Sequence, residues 1–128
     1  SIDRSSFESN SAHYGGVIRA YAAVISIDRS SFRSNSGYHA GVLNAYSSAV
    51  ININASTFQS NYVSLDGCVI WAQSAAVTVR GCSFQSNTAS FGGAIYSEEY
   101  STITIEGSTF DHCIAEDLLN GYGGAIAM

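Results

Sequence analysis

The chain has 128 residues, of which 12% are charged, and it contains no proline. Five cations stand against ten acids, so the formal net charge is -5. Nucleic acids and anionic membrane surfaces both select a dense basic face, so we expect neither as a partner. The longest apolar runs, such as Ala20 to Ile25 and Cys68 to Ala72, are far shorter than the ~20 residues of a membrane helix, and no membrane span is expected.

Three short elements are predicted in the first part of the chain. The first is a strand at Ile2, the second runs from Phe7 to Asn10, and the third follows a glycine pair at Val17 and Ile18. The same order then begins again with the segment Ile25-Ser26-Ile27. Two aliphatic residues separated by one polar residue have the period of two that is typical of a strand.

This set of residues recurs five times along the chain. Phenylalanine marks each copy, at spacings of 25, 26, 26 and 26: Phe7, Phe32, Phe58, Phe84 and Phe110. The position three residues after each phenylalanine is asparagine in the first four copies and cysteine in the fifth: Asn10, Asn35, Asn61, Asn87 and Cys113. Glycine follows nine residues beyond the first four phenylalanines: Gly16, Gly41, Gly67 and Gly93.

The repeat predicts an all-β fold, a parallel β-solenoid (β-helix) of about five rungs of 25–26 residues with three short strands a rung. Like residues then meet in adjacent rungs at about 4.8 Å. We expect the phenylalanines to stack in the core and the asparagines to form one ladder that Cys113 continues. The alternative is a β-sandwich or propeller with regular turns, which does not require the same side chain at the same offset.

The repeat resembles those of the chlamydial polymorphic outer membrane proteins. The hallmarks of that family are Phe-x-x-Asn and Gly-Gly-Ala followed by Ile, Leu or Val. Phe84-Gln-Ser-Asn87 and Gly92-Gly93-Ala94-Ile95 match both hallmarks. The resemblance implies a right-handed parallel β-helix that is displayed or secreted and that acts as an adhesin. The sequence departs from the pattern at Cys113 in place of asparagine, at Ala40-Gly41 and Asp66-Gly67 in place of Gly-Gly, and at a five-residue insertion in the last copy.

Few residues offer the pattern of an active site. Asp3 and Asp28 share one outward column of the predicted solenoid, but Arg4 and Arg29 share the next column, so diagonal ion pairs are the simpler interpretation. His13 and His39 lack a third ligand, and we expect them to form an aromatic cluster with Tyr14 and Tyr38 rather than a metal site. No catalytic residue, metal or cofactor is therefore predicted.

Aromatic residues supply the candidate binding surface. Tyr21 and Tyr46 occupy equivalent positions, and Trp71 and Tyr96 are close to them on later rungs. Such a strip could stack on sugar rings or bind a protein, or it could instead be packed under a turn or against another subunit. Leu118 and Leu119 lie in residues 115–122, the stretch around the insertion that departs from the rung pattern, and we also expect them to cover or bind something.

Two further features concern modification and thiol chemistry. Asn54-Ala55-Ser56 is a glycosylation sequon, usable if the protein enters a eukaryotic secretory pathway. Cys68, Cys82 and Cys113 match no zinc pattern, and three cysteines cannot all pair within the chain. We interpret them as small, interior, free thiols.

Together these patterns predict a non-enzymatic, extracellular or cell-surface, structural or adhesive solenoid with a protein or glycan partner. Residues 1–128 are expected to be one segment of a longer solenoid that contacts flanking rungs of the same protein or a larger assembly, because neither end carries a polar cap. The alternative is part of a carbohydrate-active, pectate-lyase-like β-helix whose catalytic rungs lie elsewhere. Three acids in one outward column of adjacent rungs would favour that alternative.

Overall fold

Short strands stacked in register make up the part of the chain that the structure describes. The computed structural model describes residues 1–64, 68–98, 100–116 and 123–128. Within them, twenty strands form four sheets of five strands each, and every pairing is parallel. The predicted parallel β-solenoid with five copies of the repeat is thereby confirmed.

The four sheets take one strand each from every copy. Sheet A contains β1 (Ile2–Asp3), β5 (Val24–Asp28), β9 (Val50–Asn54), β13 (Ala76–Arg80) and β17 (Thr102–Glu106). Sheet B contains β2 (Ser6–Glu8), β6 (Ser31–Arg33), β10 (Thr57–Gln59), β14 (Ser83–Gln85) and β18 (Thr109–Asp111). Sheet C contains β3 (Ser11–Ala12), β7 (Ser36–Gly37), β11 (Tyr62–Val63), β15 (Thr88–Ala89) and β19 (Ile114–Ala115). Sheet D contains β4 (Ile18–Tyr21), β8 (Ala40–Tyr46), β12 (Cys68–Gln73), β16 (Ile95–Glu98) and β20 (Ile126–Ala127).

The expectation of three strands a rung is wrong, because the segment from Phe to Asn and beyond divides into two strands. The residue two positions after each phenylalanine has a positive φ: Ser9, Ser34, Ser60, Ser86 and His112. A left-handed residue turns the chain sharply and ends the extended run. The strand that carries Phe therefore belongs to sheet B, and a separate strand in sheet C begins just after the asparagine.

The core lies between the sheets and consists of apolar columns. The phenylalanines pair in register and stack with ring centroids 4.6–5.1 Å apart and planes within 9° of parallel. Ile27, Ile53 and Val79 form a second buried column from sheet A, and Leu43, Ile70 and Ile95 form a third from sheet D. Burial of these columns drives folding, since no single rung could shield its own apolar face.

The asparagine ladder lines the corner between sheets B and C, as predicted. Asn61 Oδ1 accepts from the backbone N and from Nδ2 of Asn35, at 3.0 and 3.1 Å. Asn61 Nδ2 donates to Asn87 Oδ1 and to the carbonyl of Phe32, both at 3.0 Å. The ladder ends at Cys113, whose Sγ lies 3.9 Å from Asn87 Nδ2.

A second ladder lies at the corner between sheets A and B and was not predicted. It occupies the position two before each phenylalanine: Ser5, Ser30, Ser56, Cys82 and Ser108. The backbone N of Ser30 donates to Ser56 Oγ at 3.1 Å, and that of Cys82 donates to Ser108 Oγ at 3.1 Å. The recurring serine was a usable signal, because a repeated polar residue in a solenoid must satisfy its neighbours in the stack.

Glycine is required where sheet D begins. Gly15 has a φ of +60°, and a Cβ on Gly16 would collide with the carbonyl oxygens of Ser36 and Gly41. Because Gly16 has no side chain, the backbone can approach Ser36 and Gly41 closely and fold back from sheet C onto sheet D. This reversal brings Tyr14, which precedes the glycine pair, next to the outward face of sheet D.

Candidate functional site

The outward face of sheet D carries the four aromatic residues that the sequence singled out. Along each strand, residues alternate between the core and this face, with the alanines at 20, 45 and 72 buried. One outward column contains Arg19, Asn44, Trp71 and Tyr96, and the column beside it contains Tyr21, Tyr46, Gln73 and Glu98. The four aromatics therefore share a face but form two columns instead of one strip.

Their exposure differs along the stack. Tyr21 is 65% exposed and makes an edge contact with Tyr46, with ring centroids 5.2 Å apart. Trp71 and Tyr96 are half-buried against Val63 and Ala89 of sheet C. Of the two arrangements expected for the aromatic residues, packing fits Trp71 and Tyr96 better, whereas Tyr46 is half-buried and Tyr21 is the most exposed of the four.

The histidine and tyrosine side chains form the aromatic cluster that was predicted. His13 stacks on Tyr38 and Tyr14 stacks on His39, each with ring centroids 4.8 Å apart. His39 also stacks against Trp71 at 5.8 Å, which joins the cluster to sheet D. Among the described residues, no three His, Cys, Asp or Glu side chains are placed to hold a metal ion.

A groove opens between this cluster and the outward face of sheet D. Its volume is about 130 Å³, and we call it the sheet D groove; it is lined by Tyr14, Arg19, Asn44, Tyr46, Trp71 and Gln73. The guanidinium carbon of Arg19 lies 4.8 Å from the ring centre of Tyr14 and 5.1 Å from that of Tyr46. These distances are within the range of cation–π attraction.

Sequence reasoning missed Tyr14, Arg19, Asn44 and Gln73 as members of a binding surface. Arg19 and Asn44 stand two residues before Tyr21 and Tyr46, so the period of two already places them on the same face. The contact with Tyr14 could not be anticipated in this way, because it depends on how the chain reverses at the glycine pair.

A second, wider depression lies on the other side of the aromatic cluster. Its volume is about 440 Å³, and it is bordered by His13, Tyr38 and Tyr62 together with small residues of sheet C. Tyr62 and Ser36 pair in register in sheet C. The aromatic cluster thus separates two concave surfaces.

The acidic column on sheet A forms ion pairs, as the simpler interpretation predicted. Arg29 donates two hydrogen bonds to Asp3 Oδ1, at 2.8 and 3.1 Å, and holds the pKa of that carboxyl below its ordinary value. Asp28 instead accepts a hydrogen bond from Asn54 Nδ2 at 3.1 Å. At the far end of the column, a hydrogen bond from Arg80 lowers the pKa of Glu106.

The sequon at Asn54 lies at a structured corner. Its serine, Ser56, is 1% exposed, donates to the carbonyl of Asn54 at 2.8 Å and accepts from the backbone N of Ser30. In the folded chain, the Ser56 hydroxyl is therefore enclosed within the serine ladder. Glycosylation of Asn54 remains a prediction, and it would have to precede folding.

The cysteines differ in environment. Cys82 is a buried free thiol within the serine ladder, and burial raises its pKa. Cys113 is a half-buried free thiol that ends the asparagine ladder. The side chain of Cys68 lies outside the described part of the chain, as do Leu118 and Leu119 of the insertion.

Comparisons with known proteins give one match. A family model described as right handed beta helix region matches residues 1–127, in agreement with the expected handedness. Searches of curated proteins and of solved structures found no significant match. None of the described residues forms a helix long and apolar enough to cross a membrane.

Proposed function

The chain belongs to the right-handed β-helix family, and from this premise we propose that it is a non-enzymatic structural and adhesive segment of an extracellular or cell-surface protein. The outward face of sheet D is its contact surface. The observation that carries the proposal is the exposed ring of Tyr21, which contacts the half-buried Tyr46 at the side of the sheet D groove. Exposed aromatic rings bind partners with large contact area and small loss of side-chain entropy.

The remaining outward groups support the same assignment. The carboxylate of Asp3 is held by Arg29, and that of Glu106 is held by Arg80. A general acid–base pair needs carboxyl groups that are free to face a substrate. The resemblance to the chlamydial repeats also supports an adhesive role, because those repeats belong to displayed proteins.

Binding to an array tests the adhesive role directly. The chain, coupled to fluorescent beads, is applied to an array of immobilised glycans and extracellular-matrix proteins. We expect retention that falls about tenfold for Tyr21→Ser and again for Tyr46→Ser, in line with the loss of aromatic anchors. The control is Tyr100→Ser, which removes a tyrosine that is 94% exposed and sits at the left-handed corner that Ser74 occupies one rung earlier.

Two outcomes would contradict the proposal. If Tyr100→Ser lowers retention as much as Tyr21→Ser or Tyr46→Ser does, sheet D is not the contact surface. Release of new reducing ends from oligosaccharides, with or without divalent metal ions, would show that the chain is an enzyme.

A further inference from the structure

Arg19 differs from the other four arginines of the chain in its partners. Arg4 and Arg29 pair with Asp3, Arg33 pairs with Glu8, and Arg80 pairs with Glu106. Within the described residues, Arg19 pairs with no carboxylate and contacts the rings of Tyr14 and Tyr46 instead. Its positive charge is therefore left without a counter-ion there, although acids outnumber arginines two to one in this chain.

The two rings contact the guanidinium group of Arg19, and among the described residues none of its N–H groups donates a hydrogen bond. These N–H groups form a fork that matches the two oxygens of a carboxylate. Glu98, the acid in the neighbouring column, is three rungs from Arg19, or about 14 Å at the strand spacing. That distance exceeds the electrostatic screening length of roughly 8–10 Å, so Glu98 does not neutralise Arg19.

Two amide side chains line the groove together with Arg19. Asn44 is the next residue of the same column and is only 6% exposed, while Gln73 is the next residue after Tyr46 in the adjacent column. Among the described residues, neither side-chain amide has a hydrogen-bond partner. An amide offers both donors and an acceptor, which is the combination that the hydroxyl groups of a sugar require.

Size and backbone geometry decide between a sugar and a peptide. The groove measures about 130 Å³, well below the roughly 300–1,000 Å³ of sites that enclose larger ligands, so it suits a single ring. An acidic peptide would gain most from main-chain hydrogen bonds at a sheet edge. The floor of this groove is the face of sheet D, whose backbone groups are paired along the stack.

We propose that the sheet D groove binds a sugar acid, a single pyranose ring that carries a carboxylate, with Arg19 on the carboxylate, Asn44 and Gln73 on the hydroxyls, and Tyr46 and Trp71 beside the ring. This inference rests on the proposed contact role of sheet D and specifies the ligand class. It makes Arg19 the residue that distinguishes acidic from neutral sugars.

The sole tryptophan of the chain lines the groove, so its fluorescence reports binding at this site. The full chain is titrated separately with D-glucuronate, with D-glucose and with acetate. We expect a saturable change with glucuronate, a binding constant about tenfold weaker for glucose, and no saturation with acetate, because charge and ring act together. Arg19→Gln should remove the preference for glucuronate, and Arg19→Lys should retain only part of it, because lysine keeps the charge but not the fork.

Arg33→Gln is the matched control, because it removes another exposed arginine, one that pairs with Glu8. Three results with the unmodified chain would each overturn the inference: equal binding of glucose and glucuronate, saturation with acetate alone, or no response to any of the three. The inference would also fall if the Arg19 and Arg33 variants changed the preference for glucuronate equally. Tighter binding of a glutamate-rich peptide than of glucuronate would overturn it as well. If array retention depends on Tyr21 and Tyr46 but not on Arg19, the adhesive role stands and the sugar-acid inference falls.

Discussion

Asn61 is the residue whose loss should reveal most about what holds the rungs together. Its side chain is 1% exposed and makes four hydrogen bonds, two to Asn35, one to Asn87 and one to the carbonyl of Phe32. Asn61→Ala removes all four. The backbone N–H of Asn35 then loses its partner inside the corner, whereas Asn35 Nδ2 keeps its bond to the carbonyl of Phe7.

The expected cost follows from these contacts. A buried donor left without a partner costs about 1–3 kcal/mol, and each other lost bond contributes about 0.5–1.5 kcal/mol. Allowing for partial relaxation of the corner, we expect Asn61→Ala to lower the free energy of unfolding by about 3–5 kcal/mol. The control is Asn10→Ala at the exposed end of the same ladder, which removes one side-chain bond to Asn35 and should cost about 0–1 kcal/mol.

Urea unfolding measures the difference. It is followed by far-UV circular dichroism and by Trp71 fluorescence, and coincident transitions justify a single free energy of unfolding for each variant. If Asn61→Ala and Asn10→Ala lower that free energy equally, the buried ladder does not stabilise the stack as reasoned.

Three further predictions concern the thiols and an ion pair. Cys113→Asn should raise the free energy of unfolding by about 0.5–1.5 kcal/mol, because an amide would accept from Asn87 in place of a distant sulfur; an unchanged urea midpoint would contradict this. Cys82→Ser should be more stable than Cys82→Ala by about 1 kcal/mol, because serine fills this position in the other rungs, and the reverse order of thermal midpoints would refute the serine ladder. Arg29→Gln should raise the pKa of Asp3 in an NMR titration, because the arginine lowers it. A carboxyl with a lowered pKa stabilises the fold above its ordinary pKa and loses that effect as the pH falls through the lowered value, so an unshifted titration would contradict the pairing.

Much of the fold was predictable because a solenoid repeats its environment in every rung. The recurring Phe and Asn required no knowledge of distant contacts, since each residue meets its own counterpart one rung away. The diagonal pair between Arg29 and Asp3 was predictable for the same reason. The serine ladder had an equally regular signal and was simply missed.

The candidate site was less predictable, because it is built between positions that are not equivalent. Tyr21 is exposed and Tyr46 is half-buried, and Trp71 packs against sheet C, so equivalent or neighbouring positions of the repeat differ in exposure. Ser56 completes a sequon in the sequence, yet its hydroxyl is enclosed in the stack. Neither outcome can be derived from spacing along the chain.

The amino-acid sequence by itself determined the repeat, the parallel stacking and which residues face the core, because these depend only on the identity of residues at equivalent positions. Tertiary structure alone decided the number of strands in a rung, through left-handed corner residues such as Ser34, and the way sheet C folds back over sheet D. The sheet D groove depends on that fold-back, which brings Tyr14 to Arg19. Such a contact joins different columns, and no periodicity encodes the angle at which the chain reverses.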